Sequence, residues 1–281
     1  MLLRKFWLLA VLFWAVVAGS VPAADWRGET RLVWHGNVTN ADRAADRLAA
    51  IQSQTEVAVK RRWVLPAGNQ VWVGWQFGLD AWPRFAGLDT LAGGPVLGWS
   101  HKFGLGAQVP VLVVQAAGEW VAAREEMRAG RGGALELRLQ RRFGSDWQLA
   151  GGVEWEKYRA RGHAFRRAGR EYFLRTDYQM ARWNFMLELH ARTGVVVSYT
   201  SPPRPDLVQA GKVLTLVDTF ERESSLLAYY FPADTRSGAV EATRGLDAQT
   251  AVFLRFEYRD TTHNAVRYLN QLSSLGIRRE F

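Results

Sequence analysis

The feature that most constrains this chain is an alternation of apolar and polar residues with period two, sustained over about ten positions and broken by turn residues. Between Gly133 and Tyr158, Leu135, Leu137 and Leu139 alternate with Glu136, Arg138 and Gln140; a Gly144-Ser145-Asp146 turn follows, and Trp147, Leu149, Val153 and Trp155 then face away from Gln148, Glu154 and Glu156. An earlier stretch repeats the pattern: Val57, Val59, Trp63 and Leu65 against Glu56, Lys60 and Arg62, a Pro66-Ala67-Gly68-Asn69 turn, then Val71, Val73, Trp75, Phe77 and Leu79. Near the end, Val252, Leu254, Phe256 and Tyr258 alternate with Phe253, Arg255, Glu257 and Arg259. Successive strand side chains point to opposite faces, so each run has one apolar and one polar face. Segments of about ten residues of this kind, separated by turns, are what a β-barrel needs to cross a bilayer.

The N-terminus points the same way. Arg4 and Lys5 precede an apolar run from Phe6 to Ala18, and small residues follow through Ala24. That is the form of a cleavable export signal, with cleavage after Ala23 or Ala24. The run of about 13 residues is short of the roughly 20 that a spanning helix requires. Residues 1–24 are therefore expected to be a signal peptide and residues 25–281 a single barrel domain. Every later apolar run is interrupted by a charge or a glycine, so the exported chain is either soluble or a barrel. Cysteine is absent, which excludes disulfides and thiolate metal sites. The formal charge is +9, of which Arg4 and Lys5 leave with the signal. A basic exported protein favours anionic partners, and outside the cytoplasm lipopolysaccharide phosphates or acidic solutes are expected in place of nucleic acid.

Turn residues fall at 66–69, 104–106, 144–146, near 181 and near 247, with longer connections at 39–51, 83–93, 122–130, 161–168, 199–236 and 260–264. Bacterial barrels join their strands by short periplasmic turns and long extracellular loops, which orients the chain. The expected fold is all-β, an antiparallel transmembrane barrel of twelve strands. Fourteen is the alternative count if Val213 to Phe220 and Leu226 to Phe231 form a further strand pair.

The last strand ends on Phe281, with Leu275 and Ile277 on the same face. In its closing segment, FLRFEYRDTTHNAVRYLNQLSSLGIRREF, the chain resembles the Gram-negative outer-membrane β-barrels as a class, porin-like and uncharacterised members included. The resemblance implies an outer-membrane location, lipid and lipopolysaccharide surroundings, and Phe281 as the signal that the barrel assembly machinery reads. It names no substrate, and a monomer is the favoured state.

Inward positions carry Glu56, Lys60, Arg62, Glu136, Arg138, Arg142, Glu154, Glu156, Glu188, His190, Arg192, Arg255, Glu257 and Arg259. These charges can line a conduit or close it by pairing, and the excess of Arg weakly favours anions. Arg124, Arg128, Arg161, Arg166 and Arg167 fall in predicted extracellular loops and suit lipopolysaccharide phosphates, because guanidinium forks match phosphate oxygens. Trp63, Trp75, Trp99, Trp147, Trp155 and Trp183 suit the aromatic girdles of a barrel.

Some barrels of this size are lipid hydrolases, and outer-membrane phospholipase A carries a His and a Ser spaced by one residue. None of the histidines here, His35, His101, His163, His190 and His263, has Ser two positions on. Ser100 and His101 are adjacent and so point to opposite faces. No nucleotide, zinc or calcium motif is present, and no cofactor is expected. Three readings stand: a narrow porin-like channel for small solutes, anions weakly favoured; a non-conducting structural or interaction barrel of the envelope; and a lipid-modifying enzyme.

Overall fold

The computed structural model describes residues 24–202, 204–210, 212–216, 218–220, 226–264 and 266–281. The expected signal peptide lies outside the described residues, apart from Ala24. The strands are β1 (Asp25–His35), β2 (Ala50–Leu65), β3 (Asn69–Ala81), β4 (Thr90–Lys102), β5 (Val111–Ala123), β6 (Gly130–Phe143), β7 (Trp147–Ala160), β8 (Arg167–Met180), β9 (Trp183–Thr200), β10 (Lys212–Leu216), β11 (Leu227–Gly245), β12 (Thr250–His263) and β13 (Val266–Glu280). One short helix, α1 (Pro205–Ala210), precedes β10.

Each wall strand is antiparallel to its neighbours. β13 returns to β1, with Arg27 opposite Glu280 and His35 opposite Leu272. β11 pairs directly with β9, from Leu227 opposite Thr200 to Arg244 opposite Trp183. β10 therefore lies outside the ring, and its ladder is with the first residues of β11, Leu227 to Tyr230. The wall is a closed antiparallel barrel of twelve strands, as the alternation implied. Closure removes the unpaired edges that lipid would not satisfy. Of the alternative strand pair, the first segment becomes β10 and the second becomes the start of β11.

Short connections at 66–68, 144–146, 181–182 and 246–249 share one end with both termini, and the connections at 36–49, 82–89, 124–129, 161–166 and 201–226 share the other. The turn expected at 104–106 is longer and runs from 103 to 110. Gly104 and Gly106 take φ of 130° and 98°, and Phe103 N–H closes the turn on the Pro110 carbonyl at 3.0 Å. Pro110 has no N–H for a ladder, which delays the start of β5.

The apolar faces point outward. Leu135, Leu137 and Leu139 are exposed, as are Trp63, Trp75, Trp147, Trp155 and Trp183, because on a lipid-facing wall the apolar side is the solvent side. Trp99 stacks at 6.0 Å on His101, which meets Phe103 edge-on at 4.7 Å, a small aromatic band beside the 103–110 turn.

Inside, bulky rings lie over glycines of the neighbouring strand. A Cβ on Gly98 would fall 2.0 Å from Trp72 Cε2, and one on Gly276 would fall 2.5 Å from Phe253 Cζ. At Gly78 a Cβ would meet nothing within 4 Å. Gly98→Val should therefore expel the Trp72 ring into the lumen and cost about 1–3 kcal/mol, the usual range for overpacking. Gly78→Val should be close to neutral. Urea unfolding in detergent micelles compares the two.

Candidate functional site

The inner face carries most of the charge of the wall. Arg27, Arg31, Lys60, Arg62, Arg138, Arg142, Arg167, Arg175, Arg192, Arg255, Arg259 and Arg278 stand there, matched almost one for one by Glu29, Glu56, Asp80, Glu119, Glu136, Glu154, Glu156, Glu171, Asp177, Glu188, Glu241 and Glu257. The sequence reading missed Glu29, Asp80, Glu119, Glu171, Asp177 and Glu241 on this face, and with them Arg27, Arg31, Arg175 and Arg278. Period two could have found them once each strand's register was fixed.

The pairs are organised. On β8, β9 and β12, His190 Nδ1 lies 2.6 Å from Glu171 and its Nε2 3.3 Å from Glu188. Arg255 bridges Glu188 at 3.0 Å and Glu257 at 3.3 Å, and Glu257 also holds Arg259 at 2.5 Å. Arg192 bonds Glu156. Across the β13–β1 seam, Arg278 donates to Glu29 at 2.8 Å and reaches Glu241 at 3.5 Å, while Arg31 lies 3.5 Å from both Glu29 and Glu56. Arg138 pairs with Glu136 at 3.1 Å. Arg142 reaches Gln148 in a recess of about 200 Å³ at the short-turn end. Glu154 sits among Glu136, Glu156 and Glu171 without an ion-pair partner among the described residues.

These long side chains fill the β6–β9 and β11–β13 side of the lumen. The β2–β5 side is built from Ala58, Gly74, Gly78, Ala92, Gly94, Gly98 and Ala117, and there space remains. One chamber of about 990 Å³ opens near the termini, lined by Arg27, Glu56, Lys60, Arg62, Gln76, Gly78 and Asp80 among others. A second, of about 900 Å³, lies towards the long loops and is lined by Arg31, His35, Trp82, Tyr158, Arg167, Arg192, Arg255, Arg259 and Tyr268 among others. Asp80, Ala92 and Glu119 line both.

The far chamber is roofed. β8 pairs with β9 only as far as Gly194, and β12 with β11 only from Asp234, so 195–200 and 227–233 run on as an arm, to which β10 adds a short third strand along 227–230. Both faces of the arm are covered. Tyr199 and Ala228 pack with Trp82, Phe85, Tyr158, Phe165, Phe220 and Leu226; Tyr229 and Phe231 pack with Leu207, Val266 and Tyr268. The 36–49 loop takes the edge that β8 leaves free: Tyr199 N–H donates to Thr39 O at 2.8 Å, Asn40 Nδ2 to Val197 O at 3.1 Å and Ser198 Oγ to Asn40 O at 2.7 Å. Arg204, almost fully buried, donates to both oxygens of Asp42 at 2.6 and 3.0 Å.

Asp46 accepts hydrogen bonds from Thr200 Oγ1, from Ser201 Oγ at 2.7 Å and from Ser201 N–H at 3.0 Å. Burial pushes its carboxyl up, but these hydrogen bonds together outweigh burial and hold it below the ordinary aspartate value of 3.8. A lowered folded pKa stabilises the arm fully above the ordinary value and is lost as pH falls through the lowered one. Protection of the 195–200 amides, corrected for the pH dependence of intrinsic exchange, should therefore be higher at pH 7 than at pH 3, and Asp46→Asn should flatten that dependence.

The loop arginines divide. Arg124 and Arg161 are exposed, 3.9 Å from Asp89 and 3.2 Å from Glu126 respectively. Arg166 is half-buried and lies 3.5 Å from the Ala160 carbonyl. Arg128, expected on the rim, is turned inward: it pairs with Glu125 at 3.0 Å, bonds the Tyr199 hydroxyl at 2.5 Å and lies over the Phe165 ring. Arg167 also faces the far chamber and stacks on Tyr158. Phe281 is tied to β1 by reciprocal backbone bonds with Trp26 at 2.9 and 3.1 Å.

For the hydrolase reading, Ser100 is buried inside while His101 faces outward on Asn69 at 3.0 Å. Ser237 lies opposite His190 on the β9–β11 ladder, a juxtaposition the sequence did not reveal, but both ring nitrogens of His190 are engaged by Glu171 and Glu188.

No family model matches the chain, and no curated protein matches it in sequence. Solved structures do. An outer-membrane channel from Pseudomonas putida F1 is similar at a TM-score of 0.56 and 13% identity, over 94% of this chain and 97% of that one. The KdgM porin matches at a TM-score of 0.44 and 8% identity, over 91% of this chain and 99% of that one. The first likeness bears on fold alone, and it agrees with the closed strand ring and the outward apolar face: this chain has the fold of the Gram-negative outer-membrane β-barrels.

Proposed function

We propose that this protein is a narrow outer-membrane channel for small hydrophilic solutes. The observation that carries the reading is the pair of polar chambers that meet at Asp80, Ala92 and Glu119. A barrel that only anchored a complex would have no need of a glycine- and alanine-lined side to its lumen. The balance of inward charge supports a channel without the anion preference that an excess of Arg would give. The exposed Arg124 and Arg161, at the loop end, suit lipopolysaccharide phosphates of the surrounding leaflet.

The roof favours a second reading, a closed barrel that holds its place in the envelope. An arm packed on both faces, together with ion pairs across the lumen, is what a plugged barrel would show. Liposome swelling separates the two. The channel reading expects proteoliposomes to swell in small neutral sugars at rates that fall steeply with solute size. Rates equal to those of protein-free liposomes for every solute would support the closed barrel.

A further inference from the structure

We infer that the path through this barrel is off-axis, along the β2–β5 wall, and that Asp80 and Glu119 at its junction make it prefer small cations and cationic solutes. The inference rests on the channel reading above and specifies where and what that channel would pass.

The two chambers have only Asp80, Ala92 and Glu119 in common. A solute crossing from one to the other passes these three residues. Ala92 is small, and Gly78, beside it on the β3–β4 ladder, faces open space. On the opposite wall Arg255, Glu188, His190 and Glu171 are tied to one another; Arg255, His190 and Glu171 border the far chamber, and none of the four lines the near one. Space and side-chain size therefore place the route before any charge is considered.

Charge then decides what uses it. Asp80 accepts hydrogen bonds from Thr90 at 3.2 Å and from Gln52, and neither Asp80 nor Glu119 has an ion-pair partner within salt-bridge distance among the described residues. The cations nearest Asp80 are Arg31 and Arg167. Arg31 is held by Glu29, Glu56 and Gln54, and Arg167 lies over the Tyr158 ring. The junction therefore presents two carboxylates with no salt bridge of their own, and carboxylates lining a constriction select cations.

The chain has no cysteine, so a single introduced thiol reports unambiguously. Gly78→Cys and Ala92→Cys would be treated in a planar bilayer with positively and negatively charged methanethiosulfonate reagents of similar size, with Gln148→Cys on the other wall as the control. The expected result is loss of most of the current at positions 78 and 92, faster modification by the positive reagent, and little change at 148. In a salt gradient the unlabelled protein should prefer cations. Each of Asp80→Asn and Glu119→Gln should lower that preference roughly threefold, the Coulomb factor for one charge at about 6 Å in water. A conducting barrel whose current is untouched by modification at 78 and 92, or one that prefers anions, would overturn the inference while leaving the channel intact. A folded wild-type barrel that never conducts would remove the channel reading and this one with it.

Discussion

Leu137→Arg is expected to cost about 2–4 kcal/mol of folding free energy in a bilayer, the penalty for a cation on the lipid face near the midplane. Leu137 stands on β6, exposed on the outer face between Leu135 and Leu139. Gln140 lies on the same strand with its side chain on the opposite face, and Gln140→Arg should fold as well as wild type. At 1.4 kcal/mol per tenfold, the first variant loses between one and three orders of magnitude in its folding equilibrium, so heat-modifiability on a gel after refolding into vesicles resolves the pair. Equal behaviour of the two would contradict this assignment of inner and outer faces, and failure of Gln140→Arg alone would mean that the faces are exchanged.

The second large effect concerns the roof. The double variant Asp42→Ala/Asp46→Ala removes the Asp42 carboxylate that pairs with the buried Arg204 and the Asp46 carboxylate that receives Thr200 and Ser201. Breaking a buried pair from one side typically costs about 3–5 kcal/mol. That cost falls on the arm and the 36–49 loop, because the wall ladders are not involved. The arm should become sensitive to protease between 195 and 231 while the barrel stays heat-modifiable, and single-channel current should rise as the far chamber opens. A variant with an intact arm and unchanged current would show that the apolar packing of Tyr199, Tyr229 and Phe231 holds the roof by itself.

The wall was legible because a lipid-facing strand advertises itself residue by residue. Leu135, Leu137 and Leu139 cannot exchange faces with Glu136, Arg138 and Gln140 without placing charge in lipid. The ends of the strands were harder. Val195 to Val197 and Leu226 to Phe231 are continuous apolar runs, the mark of a segment buried on both sides, and they belong to the arm; an expected loop at 199–236 therefore shortened to 201–226. The interior was legible in kind and not in pairing. Sequence placed His190 and Glu188 on one face, but only the β8–β9 register puts Glu171 on the other side of that ring. Arg128 could not be told from its exposed neighbours, since its burial depends on Tyr199 and Phe165, distant in sequence. The chambers themselves follow from where small residues on separate strands meet, and no single strand records that.

The central claim is that this barrel carries a wet path, and single-channel recording of the refolded protein in a planar bilayer tests it most directly. The account predicts steady, small ohmic openings that grow when the roof is released. A heat-modifiable, correctly inserted barrel that shows no current, with or without the Asp42→Ala/Asp46→Ala substitutions, would contradict it.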